Sequence, residues 1–208
     1  MRFHLAVFAL ILALSAEAVA ACRGPQGLSP PGAAVPLVEG QFRYNPDKGL
    51  GCVVSAEQGA AMGKHEQAVS FLSCLRVGVV SIGDRMKAVE ALLGEPVATS
   101  DLGVFSQSRL YEVPQKGALR PHYVLTYRDD QVVAVQLIGP PMRFPAYFSG
   151  LTLGDEQQKV IDTLGPPGQR CQSRPDRPEL WTWPAFPIAI DIIDGYVAGV
   201  KVTWPEGK

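Results

Sequence analysis

The 208-residue sequence predicts an α+β protein of two tandem repeats, each a short helix packed on an antiparallel sheet of about three to four strands. Two observations lead to this prediction. Residues 82–96 recur in altered form as residues 153–167, and each copy is followed by runs of β-branched and aromatic residues. Self-similarity at a fixed spacing indicates architecture more strongly than any local pattern does.

Each repeated stretch predicts a helix of about ten residues. Asp84 lies where an N-cap or first-turn residue belongs, because an acidic group complements the positive end of a helix. In the second copy Gln158 follows Asp155 by three residues, as in a capping box. Gly94 offers the left-handed conformation that ends a helix, and Pro96 prevents continuation. The shared residues of this structural repeat motif are Gly83, Asp84, Gly94 and Pro96, and then Gly154, Asp155, Gly165 and Pro167.

The strands are predicted from β-rich runs after each helix. The runs are residues 109–113, 122–128 and 132–137, and then residues 180–183, 188–192 and 196–204. Asp194-Gly195 is a strong hairpin dipeptide, and Asp129-Asp130 is a weaker one. One helix lying on one face of an antiparallel sheet is an α+β arrangement.

The resulting domain plan has six parts. They are a signal peptide at 1–20 (1–21 in a lipoprotein), a Pro/Gly-rich tether at 22–40, a partly ordered N-terminal segment at 41–77, the first repeat at 78–138, a connector at 139–150 and the second repeat at 149–204.

The N-terminus predicts export. An apolar run at residues 5–14 precedes Ala-Val-Ala at residues 18–20, which fits a signal-peptidase site. Residues 19–22 also resemble a bacterial lipobox, in which Cys22 would be acylated and would tether the protein to a membrane. Glu17 interrupts the apolar approach to that site. We expect a periplasmic protein, either soluble or anchored on the periplasmic side of the outer membrane, and both alternatives stay open.

The four cysteines are disulfide candidates in an exported protein. Cys52 and Cys74 are the favoured pair, because both precede the first repeat. Cys171 follows the second predicted helix and has no counterpart in the first copy. If Cys22 is acylated, Cys171 is left over or pairs with one of the middle two; otherwise Cys22 and Cys171 remain to pair.

Charge and motifs argue against several function classes. The formal net charge is −1, from 19 basic and 20 acidic residues, so we predict no nucleic-acid partner. No nucleotide-binding, metalloprotease or nucleophile-elbow motif occurs, and we predict no cofactor, no metal site and no catalytic residue. His122 at a strand edge and Asp129-Asp130 in a turn have ordinary structural explanations.

Three aromatic residues are candidates for contact with a protein partner. Trp181 and Trp183 alternate on one strand and therefore point to the same face. Tyr111 occupies the matching place in the first copy. The favoured interpretation is that they fill the core between helix and sheet. The alternative is that they form an aromatic sheet face that anchors a partner.

The repeated stretch resembles the SmpA/OmlA (BamE-like) domain family, which is related in fold to the tandem-repeat β-lactamase-inhibitor protein. The residues that carry this resemblance are Ile82, Gly83, Val89, Leu93, Gly94 and Pro96, and then Leu153, Gly154, Val160, Leu164, Gly165 and Pro167. The resemblance implies either an outer-membrane lipoprotein that supports assembly of barrel proteins or a secreted inhibitor that grips an enzyme.

The expected function is therefore that of an exported, envelope-associated protein-binding module, acting as a scaffold or as an accessory in outer-membrane assembly. The alternative is a soluble periplasmic or secreted inhibitor that binds an enzyme through the aromatic sheet face. In both cases the partner is a protein.

Overall fold

The computed structural model describes residue 25 and residues 39–61, 70–103, 105–116, 119–142 and 147–204. Its main feature is one antiparallel sheet of eight strands. The predicted α+β class with two helix-and-sheet repeats is therefore wrong, because this part of the chain is mostly β and is built on one large sheet. The predicted signal peptide, most of the predicted tether and Cys22 lie outside the described residues.

Twelve strands are described. They are β1 (Gly40–Asn45), β2 (Gly49–Val54), β3 (Arg76–Val77), β4 (Val80–Ser81), β5 (Ala98–Gly103), β6 (Ser106–Glu112), β7 (His122–Arg128), β8 (Gln131–Ile138), β9 (Gln169–Gln172), β10 (Glu179–Thr182), β11 (Ile188–Ile193) and β12 (Tyr196–Thr203). The helical elements are α1 (Ala56–Ala61), a 3₁₀ turn at Ser70–Cys74, α2 (Met86–Leu93) and α3 (Gln157–Leu164).

The large sheet has the order β5-β6-β7-β8-β12-β11-β10-β9, and every neighbouring pair is antiparallel. Its continuity comes from the pairing of β8 with β12, in which Val135 lies opposite Val202 and Leu137 opposite Val200. These valine and leucine side chains are fully buried. An apolar seam at the centre of the sheet thus removes the edges that two separate sheets would expose.

One face of the sheet carries the core. Tyr123, Leu125 and Tyr127 alternate along β7 and are buried, as a period of two requires for a strand with one packed face. The helices cover this face with short apolar stripes, from Met86 and Val89 in α2 and from Val160 and Leu164 in α3. Helices of eight residues are marginal alone. They are therefore stabilised by packing on the sheet.

The hairpin of β1 and β2 packs on the same side, against the end of α3. Phe42 is buried between Phe148 and Phe186, with ring centroids 5.9 and 5.4 Å away. Gly165 ends α3 with φ 77°, and a Cβ at this position would overlap the ring of Tyr44. The close approach of β1 to α3 therefore requires glycine here.

Tight turns join the strands that follow each helix. Asp129 and Asp130 both have positive φ, 49° and 62°, between β7 and β8. Asp194 and Gly195 have φ 50° and 84° between β11 and β12. Positive φ at both central residues matches the twist of a two-residue hairpin, and Asp and Gly tolerate it.

Candidate functional site

The three aromatic residues predicted as partner contacts are buried. Trp181 and Tyr111 are 0% exposed and Trp183 is 5% exposed. The Trp181 Nε1–H donates to Glu179 Oε2 at 2.8 Å, and the Arg170 guanidinium carbon lies 4.1 Å from the Trp181 ring centroid. Because these rings pack inside the core, the favoured interpretation agrees with the structure, and the alternative, an aromatic sheet face that contacts a partner, is wrong.

The repeated aspartates hold the turn before each helix rather than the helix itself. Asp84 Oδ2 accepts the backbone N–H of Ser81 at 2.8 Å, and Asp155 Oδ2 accepts that of Thr152 at 2.7 Å. The N-cap residues are Arg85 and Glu156, and neither makes a side-chain cap bond. The predicted N-cap role is therefore wrong.

The predicted capping box is also wrong. Gln158 Nε2–H donates to Asp162 Oδ1 at 2.9 Å, and Lys159 Nζ instead reaches Asp155 Oδ2 at 2.8 Å. Burial raises the pKa of Asp84 above its usual value, against the opposing effects of the bond from Ser81 and of Arg76.

Backbone bonds of the repeated motif tie each helix start to the adjacent hairpin. Gly83 N–H donates to Val132 O and Gly154 N–H donates to Val197 O, both at 2.8 Å. Gly94 and Gly165 then end α2 and α3 with φ 80° and 77°. The four glycines of the repeated motif therefore have structural roles at the starts and ends of α2 and α3.

The three cysteines in the described ranges are disulfide-bonded. Cys52 and Cys74 are bonded, with Cα atoms 5.8 Å apart, which confirms the favoured pair. Cys171 is also disulfide-bonded. Disulfides are typical of proteins in oxidising compartments, so the structure agrees with export.

Strand β5 is an exposed edge of the large sheet. All six of its residues are exposed, and within the described ranges no strand pairs with its outer side. The opposite edge differs, since β9 has only four residues and carries the disulfide-bonded Cys171. Prolines flank it at positions 166, 167 and 175. Short strands and prolines are among the usual protections against strand addition. Strand β5 is longer, with six residues, although Pro96 precedes it and a bulge interrupts its pairing with β6 between Asp101 and Gly103.

Phe105 marks the tip of the hairpin between β5 and β6. Its φ is 58°, a left-handed conformation that is a strong outlier for a bulky residue, and its side chain is 77% exposed. The backbone is held in place, because Phe105 O accepts the N–H of Asp129 at 3.1 Å. A strained backbone that presents an apolar ring to solvent is a feature of recognition sites.

The surroundings of Phe105 combine apolar and acidic groups. A cleft of about 470 Å³ beside the ring is lined in part by Tyr127, Asp101, Asp129 and Asp130. More exposed apolar side chains occur in and just before β5; they are Leu92, Val97 and Leu102. We call β5 together with this cleft and these side chains the β5 edge.

The sequence gives little indication of the β5 edge. Residues 98–103 are mostly polar or small, and a strand exposed on both faces has no apolar alternation to reveal it. The same applies to β9. The one available signal is Phe105 itself, an aromatic residue next to the turn residue Gly103 in an otherwise polar stretch.

The face of the sheet opposite the helices carries a half-buried charged pair. Lys201 lies opposite Gln136, and Asp191 lies opposite Gly199, which leaves room for the carboxylate because a Cβ there would be 2.6 Å from Asp191 Oδ2. Burial raises the pKa of Asp191, while the Gln136 side chain and Lys201 oppose that rise. Burial also lowers the pKa of Lys201, against the attraction of Asp191. Gln136 and Lys201 therefore both favour the charged form of Asp191, against the effect of burial.

In the described ranges, little supports a catalytic histidine, a metal site or a membrane-spanning helix. His122 Nε2 lies 4.0 Å from Glu112, whose other oxygen pairs with Arg120. No group of three or more histidine, cysteine or acidic side chains there is arranged to hold a metal ion. None of the described helices has the length and apolar character needed to cross a membrane.

Comparison with known proteins gives no family. No protein-family model matches the chain, and no curated protein matches it. Together with the continuous eight-stranded sheet, this makes the SmpA/OmlA assignment wrong. One match among solved structures is the crystal structure of a cysteine-rich secretory protein from Staphylococcus aureus subsp. aureus Mu50, at 12% identity and a TM-score of 0.40. It covers 59% of this chain but 44% of that chain, and a likeness this weak carries no argument.

Proposed function

We propose that this protein is an exported protein-binding module of the bacterial cell envelope that takes an extended segment of its partner alongside the β5 edge. The observation that carries the proposal is the contrast between the two edges of the sheet. One edge is short and carries a disulfide bond, whereas the other is fully exposed and ends in a displayed phenylalanine. Strand addition to a sheet edge is a common mode of peptide recognition.

The chemistry of the partner segment follows from the β5 edge. Backbone groups of β5 supply hydrogen bonds that do not depend on sequence, and the apolar side chains supply anchors. The carboxylates of Asp101, Asp129 and Asp130 beside the exposed ring of Phe105 favour a lysine or arginine. The occupant is therefore an extended segment with apolar residues and at least one basic residue.

The inhibitor alternative loses its motivation, because it depended on an exposed face formed by Trp181 and Trp183, and both are buried. The narrower role in outer-membrane assembly depended on the SmpA/OmlA resemblance, and it loses its support because that assignment is wrong. Binding at the β5 edge depends neither on an exposed tryptophan face nor on the SmpA/OmlA resemblance.

For localisation we propose a soluble periplasmic protein rather than a lipoprotein. Cys171 is in a disulfide besides the Cys52–Cys74 bond, and we propose Cys22, the fourth cysteine of the sequence, as its partner. A cysteine in a disulfide cannot be acylated on sulfur. The intact mass of the mature protein tests this, since two disulfides lower it by about four hydrogens, whereas acyl groups raise it by hundreds of daltons.

The binding proposal is tested first by site-specific photo-crosslinking in the native envelope. A photoreactive residue at Thr99 on β5 should form a crosslink to one defined segment of one protein. The same residue at Gln169, which begins β9 on the opposite edge, is the matched control and should not. Equal crosslinking at both positions, or a product that contains only this chain, would contradict the proposal.

A synthetic peptide of the crosslinked segment then tests the anchor by calorimetry. Phe105→Ala should weaken binding by about 10- to 150-fold, because burying a phenylalanine contributes about 1.5–3 kcal/mol. Tyr196→Ala is the control, since Tyr196 is an exposed aromatic residue on β12, four strands away from β5 in the sheet. If both variants bind the peptide like the unmodified protein, Phe105 is not the anchor and the proposed site is wrong.

A further inference from the structure

A second surface, separate from the β5 edge, has the features of a small-molecule site. It is a cleft of about 580 Å³ between the β1–β2 hairpin, the β3–β4 ribbon and the chain around Tyr147. Small-molecule sites have volumes of about 300–1,000 Å³. Its lining residues include Glu39, Arg43, Arg76, Tyr147 and Ser149.

Two arginines give this cleft a positive lining in a protein whose formal net charge is −1. Arg43 Nη1–H donates to Ser149 O at 3.4 Å, and its other Nη donates to Gln41 Oε1. Those acceptors are neutral. Arg76 Nε–H donates to Gly78 O at 2.8 Å, which orients its guanidinium.

The walls of the cleft are fixed by the fold. Gly78 N–H donates to Tyr147 O at 2.6 Å, and Ser149 Oγ accepts the N–H of Phe42 at 2.9 Å. The Cys52–Cys74 disulfide lies directly behind Gly40, one of the lining residues. The backbone that carries both arginines is thus held on both sides before any ligand arrives.

The only carboxylate that lines the cleft in the described structure is Glu39, which pairs with Arg76 Nη1. The Glu39 side chain is 71% exposed, so little packing holds it there. An exposed ion pair contributes about 0–1 kcal/mol, and a ligand that brings its own carboxylate can displace it. Arginine is suited to this exchange because its planar fork matches a carboxylate.

We infer that this cleft binds a small molecule through a carboxylate group, with Arg76 and Arg43 as its cationic contacts and the Glu39 carboxylate as an internal competitor. The site is independent of the β5 edge, and it can be present or absent whatever the outcome of the crosslinking experiment.

Calorimetric titration with glutarate tests the inference, since glutarate carries the same carboxylate group on the same short alkyl chain as Glu39. Glu39→Gln should bind glutarate about two- to sixfold more tightly than the unmodified protein, because removal of a competitor worth about 0–1 kcal/mol raises the competent fraction by that factor. Glu112→Gln is the matched control and should bind like the unmodified protein. Glu112 also pairs with an arginine, Arg120, but does not line the cleft.

The arginines give the opposite change. Arg76→Gln and Arg43→Gln, introduced in the Glu39→Gln background, should each weaken glutarate binding about tenfold or more, since each removes a charge-assisted hydrogen bond. The affinity of the Arg76→Lys variant for glutarate should lie between that of the protein with Arg76 and that of the Arg76→Gln variant. Lysine keeps the positive charge but lacks the planar pair of donors. Unchanged thermal unfolding in each variant establishes that the fold is intact.

Two further ligands identify the recognised group. Glutaramide, which is neutral, should not bind, and inorganic phosphate should bind more weakly than glutarate. If glutarate binding is absent in Glu39→Gln, unaffected by the arginine changes or weaker than phosphate binding, the inference is wrong.

Discussion

The Cys52–Cys74 disulfide should contribute a calculable part of the free energy of unfolding. The perturbation is the double variant Cys52→Ala/Cys74→Ala, in which alanine avoids placing a hydroxyl at the buried position 74. The bond closes a loop with a sequence separation of 22. The chain-entropy relation for a loop of that length gives a loss of about 3.4 kcal/mol at 25 °C.

Urea unfolding followed by tryptophan fluorescence measures this loss, because Trp181 and Trp183 are buried in the core. A change of 3.4 kcal/mol should lower the thermal midpoint by about 7–14 °C in a protein of this size. The single variant Arg120→Ala, which removes only an exposed ion pair, serves as the control and should change stability by less than about 1 kcal/mol.

A loss below about 1 kcal/mol in the double variant would refute the loop-entropy reasoning. In that case the β1–β2 hairpin would separate from the sheet without unfolding the core, and the disulfide would restrain only a local opening. A first, small transition in the variant that precedes the loss of tryptophan signal would identify this behaviour directly.

The remaining predictions concern the core, the repeated turns and the charged pair. Trp181→Ala should lower the free energy of unfolding by about 3–5 kcal/mol in urea, and a loss below 2 kcal/mol would mean the site relaxes around the cavity. Asp84→Ala and Asp155→Ala should each lower the free energy of unfolding by about 1–3 kcal/mol in the same assay, because each leaves a backbone N–H without its acceptor. A large effect at one site alone would contradict the equivalence of the two turns. Folded Asp191 holds its proton more tightly than the unfolded chain, so its contribution to stability falls as the pH rises from 3.8 through its raised pKa; Asp191→Asn should flatten this part of the pH–stability curve, and an unchanged slope would count against burial as the cause.

Much of the central sheet was predictable, because its strands carry the apolar alternation that packing on one face produces. The hairpin at Asp194-Gly195 and the turns that end α2 and α3 likewise follow from residues that favour positive φ. These features are local, so one segment of sequence contains the information for each.

The prediction of the fold class was wrong because the arrangement of the sheet depends on a long-range pairing. Nothing in residues 131–138 or 196–203 alone specifies that β8 and β12 lie side by side, and two separate sheets or one continuous sheet satisfy the same alternation. The polar edge strands β5 and β9 were missed for a related reason, since exposed edges carry no burial pattern.

The candidate sites were not predictable from the sequence in the form that the structure gives them. The aromatic residues that drew attention, Trp181 and Trp183, are core residues, whereas Phe105 is the displayed one. Similarly, Arg43 and Arg76 are far apart in the chain, and only the packing of the β1–β2 hairpin against β3 brings them into one cleft.

The inequality of the two sheet edges has a consequence for stoichiometry. Head-to-tail stacking of copies into a filament requires that the strand offered by one molecule be accepted by an edge of the next, so both edges must be open. In the part of the chain that the structure describes, β9 is short and disulfide-bonded, and β5 is the open edge. Occupation of β5 therefore ends growth instead of extending it. Under the proposed function, the protein keeps one exposed strand for a single partner without becoming the seed of a polymer.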